Sequence, residues 1–303
     1  MLAVLRLVGA LALPPSDSAV LLVRVLDVSD ARIGGDAILI TDSAGGHARH
    51  VLIDASDRGA TVLARLRQFQ VDTLAALILS HPHADHYGGM PEVLQRVPAR
   101  AFVYGGTPRS ARTYRALLTQ IDDLGIPVVA VDTGVRRVVV VTADDSLVLT
   151  ILSPPPGCEQ LRTAAGGDEI NDCSIGVRLE RPGRGGFTMF FPGDAEVPEL
   201  EWWMRARGAL VRAEVLKASH HGSSNGMTAE WLDAVRPAAV VISANGRQHP
   251  FAEVLALLAA HAIPSYCTAD QGTITIRVPR GGAWTVVPER PGTCHAGALR
   301  GGG

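Results

Sequence analysis

The sequence predicts an α/β protein in which two sheets pack face to face with helices outside. Three observations carry this. Strand-like and helix-like segments recur in two successive series along the chain. The polar motifs all fall where strands end, and two packed sheets would bring those ends to one edge. Hydrophobic residues make up 47% of the 303 positions, enough to bury a large core. Charged residues, at 19%, are at ordinary globular usage, which argues against wholesale disorder. No short-period repeat appears and no linker marks a boundary. Residues 20–290 therefore read as one domain, between a separate segment at 1–19 and a flexible tail at 291–303.

The first series opens with Val20 to Asp27, an apolar run rich in Val and Leu that reads as a buried strand. Ala37 to Thr41 and Val51 to Asp54 follow as strands. Asp57 to Gln70 places Leu63, Leu66 and Phe69 on one side of a helix, with Ser56 or Asp57 as its cap. Thr73 to Leu79 is a strand that stops at Ser80-His81-Pro82. Helices are expected at Pro91 to Val97 and Ser110 to Leu124, then strands at Val128 to Val131, Arg137 to Val141 and Leu147 to Leu152. Pro154 to Gly157 and Thr163 to Glu169 read as loops. The second series begins with a hairpin, Ser174 to Leu179 and Phe187 to Phe191. A helix at Val197 to Arg207, a strand at Glu214 to Ala218, a helix at Thr228 to Ala234 and a strand at Ala239 to Ser243 come next. The helix Phe251 to His261 and strands Thr273 to Val278 and Ala283 to Val287 close the domain. Of the pair Trp202-Trp203, one is expected in the core.

Net charge is −2, from 28 basic and 30 acidic residues. That excludes a polybasic, histone-like protein but leaves room for a local basic groove. Lys217 is the only lysine. Arg109, Arg112 and Arg115 read as a solvated helix face. Cys158, Cys173, Cys267 and Cys294 form no CxxC pair, so the expectation is free thiols in a reducing compartment and a cytoplasmic location. Export is the alternative, because Met1 to Leu13 is apolar apart from Arg6, although it lacks a charged start and runs into Pro14-Pro15. No apolar run reaches the roughly 18–20 residues of a membrane span.

The strongest chemical signal is His81-Pro82-His83-Ala84-Asp85-His86, directly after an apolar strand. Pro82 argues against helix there, and a tight loop would turn all four polar side chains to one point. Imidazole and carboxylate donors suit a borderline cation such as zinc, with manganese or iron as further options. Four donors in one loop also suit two ions, His81 and His83 on one and Asp85 and His86 on the other. Phe191-Pro192-Gly193-Asp194 ends another strand, and its carboxylate is placed to bridge two cations. Lys217 to Ser224 delivers His220 and His221 to a glycine turn. Side chains alternate along an extended chain. His220 is therefore read as the ligand and His221 as a substrate contact or acid. Lys217 suits an anionic group or a supporting carboxylate.

Together these motifs resemble the metallo-β-lactamase superfamily of dinuclear hydrolases. The likeness is closest to the soluble hydrolase domain of the DNA-uptake protein ComEC and its free-standing relatives. Leu26-Asp27-Val28-Ser29, Leu52 to Ser56, His81 to His86, Asn171-Asp172-Cys173-Ser174, Gly193-Asp194 and Lys217 to Ser224 stand in the order seen in that group. Ile242 to Asn245 and His249-Pro250 also fit. The resemblance implies a four-layer αββα sandwich with two divalent metals at the sheet edge. Asp54 would orient the histidine loop by hydrogen bonding, and Asp194 would bridge. Two departures stand out. Residues 30–33 insert before Gly35-Asp36, and no histidine lies between His86 and His220, where many members carry a third ligand of the first metal. That first site is then weak unless Asn171, Asp172 or water completes it. Cys173 reads as a small buried residue rather than a thiolate ligand. The channel of full ComEC is absent, so transport does not carry over.

The function implied is hydrolysis by hydroxide generated from metal-activated water. Asp85 would orient that water and take its proton. His221 and Lys217 would assist at the reacting group, while Asn171, Ser223, Ser224 and His249 would contact substrate. A phosphodiester is the first expectation, with single-stranded DNA as the candidate nucleic acid. A lactam, lactone or thioester hydrolase is the alternative, and a non-catalytic metal-binding scaffold the third reading. The oligomeric state is not legible.

Overall fold

The computed structural model describes residues 20–30, 35–44, 47–141, 146–158, 167–182, 186–280 and 283–298. The expectations for residues 1–19, for the inserted 31–33 and for 163–166 lie outside these. In chain order the first series is β1 (Val20–Val25), β2 (Ile38–Ala44), β3 (His47–Ile53), α1 (Gly59–Gln68), β4 (Ala76–Ile78), α2 (Ala84–Tyr87), α3 (Met90–Leu94), β5 (Phe102–Tyr104), α4 (Arg112–Asp123) and β6 (Val128–Ala130). The second is β7 (Val135–Val141), β8 (Ser146–Leu152), α5 (Gly167–Asn171), β9 (Gly176–Arg181), β10 (Phe187–Phe191), α6 (Val197–Arg207), β11 (Val215–Lys217), α7 (Ala229–Val235), β12 (Ala239–Ile242), α8 (Ala252–Ala260), β13 (Ser265–Cys267), α9 (Thr268–Gln271), β14 (Ile274–Pro279) and β15 (Thr285–Pro288).

One sheet runs β15-β14-β1-β2-β3-β4-β5-β6 and the other β13-β12-β11-β10-β9-β8-β7. Period-2 alternation explains the layering. In β3, Val51 and Ile53 enter the core between the sheets, while Leu52 faces outward onto α1, α3 and α4. In β10, Met189 and Phe191 point into that same core, while Phe190 packs outward against Trp203 of α6 and Trp231 of α7. Helices thus cover both outer faces, giving the expected αββα sandwich. Trp203 is fully buried, and Arg207 lies over the ring of its half-buried neighbour Trp202.

β3 to β6 are mutually parallel, as are β10 to β13. Their carboxyl ends form the common edge that collects the polar motifs. Gly35 sits at that edge with φ +96°, and a Cβ there would stand 1.8 Å from the carbonyl oxygen of Asp85. Only a glycine admits this approach.

Several expectations are corrected. Both cysteine pairs are disulfides, Cys158–Cys173 and Cys267–Cys294. The fold brings together cysteines 15 and 27 residues apart, which no local spacing motif announces. Cys173 is therefore no thiolate donor. Residues 291–298 are not a loose tail. Cys294 is bridged, the ring Nδ1 of His295 meets Asp270 at 2.9 Å, and Gly297 N donates to Pro250 O at 2.9 Å. Helix α1 is capped at Arg58 with no side-chain bond rather than by Ser56 or Asp57. Pro82 delays helix by only two residues, because α2 starts at Ala84 and carries Asp85 and His86. Residues 167–169 belong to α5 instead of a loop.

Candidate metal centre

Asp54, at the end of β3, anchors the histidine loop. Its two carboxylate oxygens accept Ser80 N at 2.8 Å and Ser80 Oγ at 2.7 Å. Its Oδ2 also takes the proton of His86 Nδ1 at 2.8 Å, since a carboxylate only accepts. His86 Nε2 is thereby aimed at Asp194 Oδ2, 3.1 Å away. Gly193, at φ +62°, lets the end of β10 close onto this loop: an added Cβ would lie 2.9 Å from Ser80 Cβ. Opposite, His221 Nδ1 donates to Ser243 O at 3.0 Å. Its Nε2 faces Asp194 Oδ2 at 3.2 Å and Asp85 Oδ2 at 3.6 Å.

Asp85, His86, Asp194 and His221 each offer a donor atom, and these atoms lie within 4.8 Å of one another. His81 and His83 adjoin them. His81 Nε2 is 2.9 Å from His83 Nδ1, and the His81 and His86 ring centroids are 4.2 Å apart. The structure thus gathers six predicted residues: His81, His83, Asp85, His86, Asp194 and His221.

The order expected for the histidine pair is reversed. His220 and His221 both have positive φ, 42° and 53°. The chain is coiled there, not extended, so strand alternation does not apply. His220 turns away, its Nδ1 3.1 Å from Glu196 Oε1 and 3.2 Å from Asn225 Oδ1. Lys217 is fully buried, with Nζ 2.5 Å from Asp36 Oδ2, which is the supporting carboxylate of its two expected partners. Asp36 in turn places Oδ1 3.4 Å from His221 Nδ1. Burial pushes the Asp36 carboxyl up, but the charges of Lys217 and His221 outweigh it and keep it below the ordinary range. Lys217 thus holds Asp36 in place beside His221. The Gly-Asp at 35–36 was visible in the sequence, but nothing there linked it to the lysine 181 positions later.

Of the predicted substrate contacts, Asn171 is buried at the end of α5. Its Nδ2 donates to Glu196 Oε1 at 2.8 Å, while its Oδ1 is buried without a hydrogen-bond partner among the described residues. Glu196 went unread in the sequence, two residues beyond Asp194. Ser223 Oγ is tied to Asn225 at 2.5 Å and Ser224 is exposed. His249 stacks on Phe251 and faces His220 and His221, with centroids 5.5 and 5.8 Å away. Burial, then the charges of His221 and His220, push its pKa down to about 3.

The cluster fits a divalent cation. Asp194 Oδ1 is buried and has no hydrogen-bond partner among the described residues. Burial works against charge on Asp194 and Asp85, yet His86 and His221 hold both carboxyls below the usual range. Burial equally opposes charge on the two imidazoles, and the acids outweigh it. Two carboxylates thus face two imidazoles that carry protons, and a bound cation would take the place of those protons.

Comparison with known proteins agrees with this geometry. Residues 32–158 match the Metallo-beta-lactamase superfamily. ComE operon protein 3 of Bacillus subtilis (strain 168) is 27% identical over 226 residues, 72% of this chain and 26% of that protein. The chain thus spans about a quarter of that relative's length. Similar solved structures include an isothiocyanate hydrolase from Delia radicum gut bacteria, at 14% identity and TM-score 0.45, covering 84% of this chain and 98% of that one. A diphosphatase of the PhnP family follows at 10% identity and TM-score 0.41, covering 86% and 98%. The matched segment holds Asp54 and the whole histidine loop, and the four layers around it are those of the metallo-β-lactamase fold.

Proposed function

We propose that this chain is a metal-dependent phosphodiesterase acting on single-stranded nucleic acid, with zinc as its metal. The observation that carries the hydrolase part is the meeting of Asp85, His86, Asp194 and His221 around a buried, unpaired carboxylate oxygen. The similarity to ComE operon protein 3 over 72% of the chain is compatible with the phosphodiester part.

Asp85, His86, His221 and Asp194 would hold one cation. His81 and His83, with Asp194 shared, would hold the other. The buried Asn171 Oδ1 is the acceptor nearest in character to the missing third histidine. Two bound cations supply Lewis acidity and lower the pKa of water toward neutrality. Asp54 and Asp36 keep His86 and His221 in fixed orientations, so no reorganisation is needed during reaction. Asp85, the most exposed acid of the cluster, is placed to orient water and receive its proton. His249 lines the rim and, held neutral, offers a hydrogen bond to a leaving group rather than a charge.

The test is metal analysis of the purified full-length chain, with bis-p-nitrophenyl phosphate and a single-stranded oligonucleotide as substrates and nitrocefin and a thiolactone run in parallel. Two metal ions per chain and turnover of the phosphodiesters are expected. Turnover of nitrocefin or the thiolactone alone would assign a carboxyl-type bond instead, and absence of any metal would reduce the domain to a scaffold. The two disulfides further support a working place outside reducing compartments. We include export in the proposal.

A further inference from the structure

Residues 105–111 connect β5 to α4. β5 runs parallel to β4, with Leu77 opposite Phe102 and Ile78 opposite Val103. The connection therefore leaves the sheet beside the histidine loop. It also reaches the second sheet. Thr107 Oγ1 donates to Cys173 O at 3.5 Å, and a Cβ on Gly105 would stand 3.1 Å from Ile175 Cγ2. Arg109 thus lies on the rim between the histidine loop and the Asn171 segment.

Arg109 is unlike the arginines that follow it. Arg112 and Arg115 are exposed on α4, whereas Arg109 is half-buried. Its Nη1 is closed off from solvent and has no hydrogen-bond partner among the described residues. A guanidinium cannot shed its proton, so a buried, unpaired N–H there is costly unless something binds it. The acids of the cluster do not claim it, because Asp85 and Asp194 face His86 and His221.

We propose that Arg109 is the anion-recognition residue of this site, its guanidinium gripping two oxygens of the substrate's phosphoryl group beside the histidine loop. Such a fork matches phosphate better than a point charge does. The inference rests on the phosphodiesterase reading only for the identity of the anion. It also reconciles a net charge of −2 with a phosphate substrate: one half-buried arginine replaces a basic surface, so salt should weaken binding little.

The test compares the full chain with Arg109→Ala and Arg109→Lys, each loaded with the same metal and checked for metal content. KM and kcat are measured on bis-p-nitrophenyl phosphate, and inorganic phosphate binding is measured separately by calorimetry. Arg109→Ala should raise KM and weaken phosphate binding by about 10- to 100-fold each, as loss of a charge-assisted hydrogen bond does, with kcat changed less. Arg109→Lys, which keeps the charge and loses the fork, should fall between. Unchanged KM and unchanged phosphate affinity in folded, fully loaded Arg109→Ala would overturn the proposal. Failure of the wild-type chain to bind phosphate would do so too. Phosphate binding that depends on Arg109, without phosphodiester turnover, would uphold this subsite and remove the phosphodiesterase reading. If Arg109→Ala does not fold, Arg109→Gln serves for the same comparison.

Discussion

His220 and His221 are neighbours in sequence with opposite duties. His221 is fixed by Ser243 O and Asp36 and faces the acids, while His220 belongs to Glu196 and Asn225. His221→Ala should therefore cost a metal equivalent and hydrolysis together. His220→Ala should retain metal content and lose no more than about tenfold in turnover, the low end for groups supporting a ligand. Elemental analysis and rates of both purified variants check this, and the reverse pattern would restore His220 as ligand. The sequence offered both histidines but not their order. Consecutive positive φ values arise from how the turn packs, and neither histidine favours that region enough to announce it. The histidine loop was legible because all its donors sit within six residues after a strand. Arg109 was not, because burial of one guanidinium nitrogen is a tertiary property.

At the scale of elements, β11 carries the buried Lys217 and the segment before β2 carries its partner Asp36. This ion pair crosses from one sheet to the other beneath the metal centre. Removing one partner strands the other charge in the core, which typically costs about 3–5 kcal/mol. Lys217→Met should be destabilised by that order in urea unfolding, and Lys217→Met combined with Asp36→Asn should recover more than half of it. A single variant as stable as the wild type would show that the pair holds nothing in place. Element positions were otherwise largely readable, since hydrophobic alternation marks strands such as β3 and β10 from residue order alone. What stayed hidden was short. β13 and α9 are three and four residues long, too brief for any periodicity, and α2 was masked by Pro82 two positions ahead of it.

On the scale of the whole molecule, two sheets converge on one edge, and both supply donors. The first gives the histidine loop and Asp54, and the second gives Asp194 and His221. Among the described residues no helix is long and apolar enough to cross a membrane. The state of the cysteines tests the proposed export instead. Chain isolated without reductant should titrate no free thiol after denaturation, whereas four thiols per chain would return the protein to a reducing environment. Composition alone argued the other way, because pairing across 15 and 27 residues depends on a fold that the cysteine spacing does not encode.

The Cys267–Cys294 bridge reaches further than its own position. It ties residues 291–298 down, and beyond it Gly297 N and Ala298 N donate to Pro250 O and Gly246 O, on the loop that presents His249. The chain's last described stretch is thus a clasp over one wall of the catalytic mouth. Opening that clasp would loosen His249 and leave every donor atom of the cluster in place.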